Sequence, residues 1–238
     1  MKILFVASEC VPFCKTEVLA LGVDPIRGAL NRFWTRFILN HWVDAVSVRD
    51  ERSQKALLEA GVVFPVTMHR DPVHALKVGR LTPASGRMAL AVSPSAKRPG
   101  WSKDIAELCD HLAAHLDASI DLLVFFPVED EKFARAIAQQ SAGVQRVRVW
   151  EKPIDLLAWI PQYQVIVATR FHALVLASDA QVPFVGWGAQ EKVATLCRKL
   201  GRPYTNTEES WNEDAQLNQI ADLYQSARKS VILATQID

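Results

Sequence analysis

The sequence predicts an α/β fold built on a doubly wound parallel sheet, and two observations carry that expectation. Short runs of strand character alternate with segments of helical character along the chain, the order that sets helices on the faces of a parallel sheet. One run, Tyr163-Gln164-Val165-Ile166-Val167-Ala168, is apolar at consecutive positions, as in a strand covered on both faces. Half of the 238 residues are hydrophobic, enough for a sizeable core in one large domain or two small ones.

In chain order, strands are expected at Ile3–Ala7, Val18–Gly22 and Ala45–Val48, with helices at Gly28–Asn40 and Glu51–Ala60. Asp50 or Ser47 can cap the second of these helices. These elements make a poor freestanding core. Between Ala75 and Arg87 the residues Lys77, Gly79, Arg80, Thr82, Pro83, Ser85 and Gly86 cluster without periodicity, which predicts a linker. Strands then follow at Met88–Ser93, Leu122–Phe126, Val147–Trp150, Val165–Ala168 and Pro183–Gly186. Helices are expected at Ser102–Leu116, Asp130–Gln140, Ile154–Ile160, Phe171–Asp179, Gln190–Leu200 and Glu213–Ala234, with Ser102 as an N-cap. The expected division is a partial N-terminal domain over residues 1–80 and a complete doubly wound domain over 87–238.

Composition excludes several classes. The 27 basic and 26 acidic residues are interspersed and leave a formal charge of +1, which gives bulk electrostatics no hold on nucleic acid. Cys10, Cys14, Cys109 and Cys197 lack the paired spacing of a zinc site and read as reduced thiols of a cytoplasmic protein. Met1-Lys2 is followed by an apolar run too short for a secretory leader, and no run reaches the roughly 20 residues of a membrane span. No bound cofactor or metal is expected. His111 and His115 are four apart, but no glutamate follows the first as a zincin requires, so a solvated helix face is the simpler reading.

The most informative stretch is Arg170-Phe171-His172-Ala173, where a cation and an imidazole interrupt an apolar strand-to-helix junction. Open α/β sheets bind ligands at such carboxyl ends of strands. Arg98, in the Pro94 to Gly100 loop, is expected to be free to face the same crevice. Arginine grips a carboxylate or phosphate with two parallel hydrogen bonds. Two such arginines can hold a small anionic substrate while His172 transfers a proton. Arg49-Asp50 and Asp71-Pro72 also lie at segment ends, where a salt bridge with capping and simple turn chemistry compete with substrate contact. Trp101 and Trp187 either pack in the core or stack a sugar.

An ordered set of motifs then emerges: Val48-Arg49-Asp50-Glu51-Arg52-Ser53, Leu57-Leu58-Glu59-Ala60-Gly61-Val62, Asp71-Pro72-Val73, Arg170-Phe171-His172-Ala173, and Lys192-Val193 with Leu200-Gly201. The set resembles the polysaccharide pyruvyl transferases of the CsaB type over roughly residues 19–200. The resemblance implies a GT-B-like pair of Rossmann-like domains, the first of them partial here. It also implies transfer of a pyruvyl group from phosphoenolpyruvate to two hydroxyls of one sugar in a cell-surface polysaccharide or lipid-linked precursor, forming a ketal and releasing phosphate. On this basis Arg170 and His172 are the expected catalytic residues, with Arg98, Arg49 and Lys192 as substrate-binding residues. A lipid-linked acceptor also implies peripheral contact with a membrane.

The chain departs from that family at its start. The family's glycine-rich opening and nearby acidic residue have no counterpart, and Met1–Thr16 instead resembles the opening of bacterial glycogen synthases. There two glycines follow the lysine-threonine pair; here Glu17-Val18 stand in their place, and a carboxylate opposes a diphosphate. The expectation is a fusion, a truncated product or a divergent short member. Two alternatives remain open from the residues: a GT-B glycosyltransferase using a nucleotide sugar, and a non-catalytic remnant.

Overall fold

The computed structural model describes residues 16–63, 65–69, 71, 76, 86–95 and 98–235, without the side chains of 230–235. The expected strand Ile3–Ala7, Cys10, Cys14 and most of the expected linker lie outside them. The chain divides into two compact units, Met1–Ala75 and Leu76–Asp238.

In the first unit, β1 (Glu17–Leu21), β2 (Ala45–Val48) and β3 (Val66–Met68) form a parallel sheet in that order. Helices α1 (Ala29–Trp42) and α2 (Glu51–Glu59) make the connections. Val18, Leu39, Val46, Val48, Leu57 and Val62 form its core. Asp50 caps α2, accepting from the Ser53 amide at 2.7 Å, so a first-turn amide is satisfied. Ser47 does not cap it; its hydroxyl accepts from the Ala20 amide at 2.8 Å.

The second unit contains β4 (Arg87–Ala91), α3 (Trp101–Leu116), β5 (Ser119–Val124), α4 (Pro127–Gln140), β6 (Val144–Val149) and α5 (Asp155–Trp159). A 3-10 turn at Ile160–Gln162 leads to β7 (Val165–Ala168), α6 (Phe171–Asp179), β8 (Phe184–Trp187), α7 (Glu191–Lys199), β9 (Tyr204–Thr205) and α8 (Glu213–Thr235). The sheet order is β6-β5-β4-β7-β8-β9, all parallel. The chain winds outward in both directions from β4, so the topological switch lies between β4 and β7, where such sheets open a crevice at their carboxyl edge. Alternate strand residues (Met88, Leu90, Ile120, Leu122, Val165, Val167) pack with α3, α4 and α8. Their neighbours meet α6 and α7; Gly186, for example, lies against Cys197, Val193 and Leu174. Among the described residues Cys109 and Cys197 are free and buried. Burial pushes the Cys197 thiol up to about 11, which suits packing and not nucleophilic work.

The starts of α3 and α4 differ from expectation in an informative way. Ser102 is not the N-cap of α3: Gly100, in a left-handed conformation (φ 80°), holds that position without a side-chain cap. Helix α4 begins at Pro127 and not Asp130, because proline lacks the amide that the first turn would leave unbonded. Close packing is also encoded at Gly143, between α4 and β6, where an added Cβ would stand 2.6 Å from the Cys109 carbonyl oxygen. Gly143→Ala is expected to cost about 1–3 kcal/mol through overpacking, read as a lower midpoint in urea unfolding. An unchanged midpoint would show that α3 yields at no cost.

Candidate functional site

At the switch point the loops after β4 and β7 are tied together. The Ser93 amide donates to Thr169 Oγ1 at 2.9 Å, and the two hydroxyls lie 2.8 Å apart. The Thr169 amide in turn donates to the Ala91 carbonyl at 3.0 Å. This fixes where β7 releases the chain into Arg170 and α6.

Arg170 is the N-cap residue of α6, in extended conformation and with no side-chain cap. Its guanidinium reaches to the start of α4. Nε donates to Asp130 Oδ2 at 3.0 Å, Nη2 bonds both Asp130 Oδ1 and Glu129 Oε2, and the group lies 4.7 Å from the centre of the Phe126 ring. Asp130 is 1 % exposed and also accepts from the Phe126 amide at 3.0 Å. Burial alone would lower the Arg170 pKa; the bonds to Asp130 and then to Glu129 outweigh it and leave the pKa raised. Nη1 is the one nitrogen of this group without a hydrogen bond among the described residues.

Arg98 does not meet the expectation of a free side chain. It forks onto Asp104 (Nε 2.8 Å, Nη2 2.6 Å), donates to the Thr207 carbonyl at 3.4 Å, and stacks over Trp101 and Trp211 at 5.3 and 5.1 Å. Arg98 and Arg170 thus each hold a carboxylate of their own, and they share no partner among the described residues. The same region settles the tryptophans. Trp101 and Trp187 are buried and form an edge-on cluster with Trp211, centroids 4.9–6.1 Å apart. Trp187 Nε1 donates to Gln216 at 2.8 Å. They are core residues, not a sugar platform.

His172 and Lys192 both lie beside Phe171. The Phe171 ring lies 5.6 Å from the His172 imidazole, edge to face, and 5.9 Å from Lys192 Nζ. His172 stands in the first turn of α6 and Lys192 in the first turn of α7, the helices that follow adjacent strands β7 and β8. Helix amino ends add partial positive charge there. Arg170, His172 and Lys192 thus stand at the starts of α6 and α7, at the carboxyl edge of one sheet, with Arg170 directed to α4.

Arg49 lies in the first unit, with Nη1 2.9 Å from Asp71 Oδ2 and Nε 3.6 Å from Asp50. Its guanidinium crosses Gly22 so closely that a Cβ there would meet it at 2.5 Å. Arg49, Asp71 and Gly22 thus pack together. His111 pairs with Glu213 at 2.6 Å on an exposed face, and no group able to hold a metal occurs among the described residues. No helix among them is long and apolar enough to cross a membrane.

The sequence reading missed Asp130, Glu129 and Thr169, which hold the site. The signal was present in Pro127-Val128-Glu129-Asp130, a proline followed by two acids, which marks a helix start.

The fold is shared with solved structures of low identity. A putative UDP-N-acetylglucosamine 2-epimerase from Listeria monocytogenes superposes with a TM-score of 0.61 at 13 % identity, covering 91 % of this chain and 62 % of the other. UDP-GlcNAc 2-epimerase from Methanocaldococcus jannaschii gives 0.55 at 12 %, covering 93 % and 70 %. TarM gives 0.53 at 11 %, covering 84 % of this chain and 42 % of its own. The chain therefore spans less than two thirds of TarM and of the Listeria protein. These likenesses are of fold, and they agree with the GT-B-like, Rossmann-like class expected from sequence. No curated protein matches the chain. A family model, polysaccharide pyruvyl transferase, matches residues 9–188, a span that takes in the switch point, Arg98, Arg170 and His172. On that match the chain belongs to the polysaccharide pyruvyl transferase family, a family of transferase enzymes.

Proposed function

We propose that this chain transfers a pyruvyl group from phosphoenolpyruvate to two hydroxyls of one sugar, in a cell-surface polysaccharide or its lipid-linked precursor. The supporting observation is that His172 and Lys192 lie beside the Phe171 ring, with Arg170 opening α6 just before them, at the carboxyl ends of β7 and β8.

The reaction needs an acid and positive charge. Protonation of the methylene carbon of phosphoenolpyruvate turns its double bond into a methyl group and leaves an oxocarbenium-like carbon. One sugar hydroxyl adds there and loses its proton. Inorganic phosphate then departs, and the second hydroxyl closes the ketal with loss of another proton. His172 is the proton donor in this scheme. Lys192 supplies a point charge for the phosphate, and Arg170 offers Nη1 while Asp130 holds the rest of its fork. Positive charge fixed before the reaction stabilises the departing phosphate without reorganisation. Arg98 serves by holding its loop against Trp101 and Trp211. Arg49 takes no part in the scheme; its bonds to Asp71 and Asp50 serve the first unit.

The test is phosphate release from phosphoenolpyruvate with galactose- and N-acetylmannosamine-containing acceptors. Arg170→Lys keeps a charge beside Asp130 but loses the fork, and is expected to lower release by about 100-fold, the loss typical of one transition-state donor. Full activity in that variant removes Arg170 from the reaction. Tighter binding of a nucleoside diphosphate than of phosphoenolpyruvate would replace the proposal with nucleotide-sugar transfer.

A further inference from the structure

Helix α1 is apolar on the side turned away from its own core. Only Thr35 and Leu39 of its residues are buried, whereas Leu30, Phe33, Trp34, Phe37 and Trp42 are exposed, Trp34 by 50 % and Trp42 by 71 %. Leu30, Phe33, Trp34, Phe37 and His41 recur at the spacing of a single helix face. Their rings are already assembled into one surface. Phe33 and Phe37 stack at 6.0 Å, Trp34 meets both edge-on at 5.5 and 5.9 Å, and His41 stacks on Phe37 at 4.9 Å. A contiguous apolar surface of this kind marks an interaction site.

Charge selects the occupant. Between Asp24 and Asp44 the sequence has no acidic residue, but it has Arg27, Arg32 and Arg36. Arg36 borders the aromatic face, its guanidinium 6.0 Å from the Phe33 ring centre, and Arg32 turns back to donate from Nε to the Ile26 carbonyl at 3.1 Å. Aromatic residues, two of them indoles, on a helix that itself carries two arginines and no acidic residue are the composition of a helix lying in the plane of a bilayer interface, and Glu59 of α2 is the acid nearest to its arginines. A second copy on this face would set one arginine rim against another, which costs energy; an anionic lipid surface neutralises it.

We propose that α1 docks the protein onto anionic phospholipid bilayers, with Leu30, Phe33, Trp34 and Phe37 entering the headgroup boundary and Arg32 and Arg36 contacting lipid phosphates. This deepens the reading that the acceptor is lipid-linked, since docking brings the enzyme to such a substrate. Its test uses neither donor nor sugar, so failure here leaves the transfer reaction standing, and the reverse holds too.

The test is co-sedimentation of the full chain with phosphatidylcholine vesicles and with vesicles that also contain phosphatidylglycerol. Binding is expected only to the second, with a blue shift of tryptophan emission and weakening at high salt. Phe33→Ser with Trp34→Ser, and separately Arg32→Glu with Arg36→Glu, are each expected to reduce binding by about tenfold or more. Urea unfolding, unchanged because these side chains are exposed, controls for misfolding. The proposal is overturned if the wild type ignores anionic vesicles, or if the variants bind as it does. It is equally overturned by a concentration-dependent dimer that Trp34→Ser abolishes.

Discussion

His172→Ala is expected to lower turnover of phosphoenolpyruvate by about 10²–10⁴-fold, the usual contribution of a positioned proton donor. The effect should fall on kcat, with the donor KM little changed, because protonation of the methylene carbon is made only in the transition state. Lys192→Ala provides the contrast: a phosphate-binding cation stabilises bound donor as well as the departing phosphate, so its loss raises KM along with any fall in kcat. The two residues face the same Phe171 ring, so their effects are expected to be non-additive in the double variant. His172→Gln, which retains a hydrogen-bond donor but no titratable ring, separates proton transfer from phosphate binding. If it restores turnover, the histidine holds phosphate and some other group is the acid. Undiminished turnover in His172→Ala removes it from both roles.

How much of this was legible in the sequence depends on the range of the interaction. The strands β2 and β7 and the helix α6 have the bounds expected from pattern alone, because an apolar run between polar ends is a local signal. Strands β3 and β9 were missed. They have three and two residues, too short for periodicity, and they exist because β2 and β8 offer an open edge to pair with. The switch-point location of Arg170 was legible for the same local reason, a cation at the end of an apolar strand. Its direction was not. The charge of Arg170 is directed by Asp130, 40 residues earlier, and that of Arg98 by Asp104 and the two rings of Trp101 and Trp211. Sequence shows that an arginine is present; the fold decides whether a carboxylate of the same chain reaches it before a substrate does.

Asp121 is the residue whose removal is expected to damage the fold most. It interrupts the apolar strand Ile120-Asp121-Leu122-Leu123-Val124 and is 1 % exposed. It accepts from Arg87 Nη2 at 2.7 Å and the Tyr163 hydroxyl at 2.8 Å, and forms an ion pair with Arg148, whose Nε lies 3.1 Å away. Arg87 and Arg148 both lie over the Tyr163 ring, and Arg148 also over Trp159. One carboxylate thus joins β4, β5, β6 and the turn before β7. Asp121→Ala leaves two guanidinium groups and a phenol without their common acceptor, and the expected loss is about 3–5 kcal/mol, set against a total of about 5–15 kcal/mol for a domain. Replacing all three charges together, Asp121→Leu with Arg87→Met and Arg148→Met, removes the unpaired cations and should recover most of that loss. A second signature comes from Tyr163, whose phenol is pushed up by burial first and then by the charge and hydrogen bond of Asp121. The unfolded phenol ionises near pH 10, below the folded one, so this contribution is intact at neutral pH and declines as pH rises past about 10. Urea unfolding of the single and triple variants at neutral and alkaline pH measures both effects. A loss below about 1 kcal/mol for Asp121→Ala would mean that water reaches these arginines and that the network is a surface one.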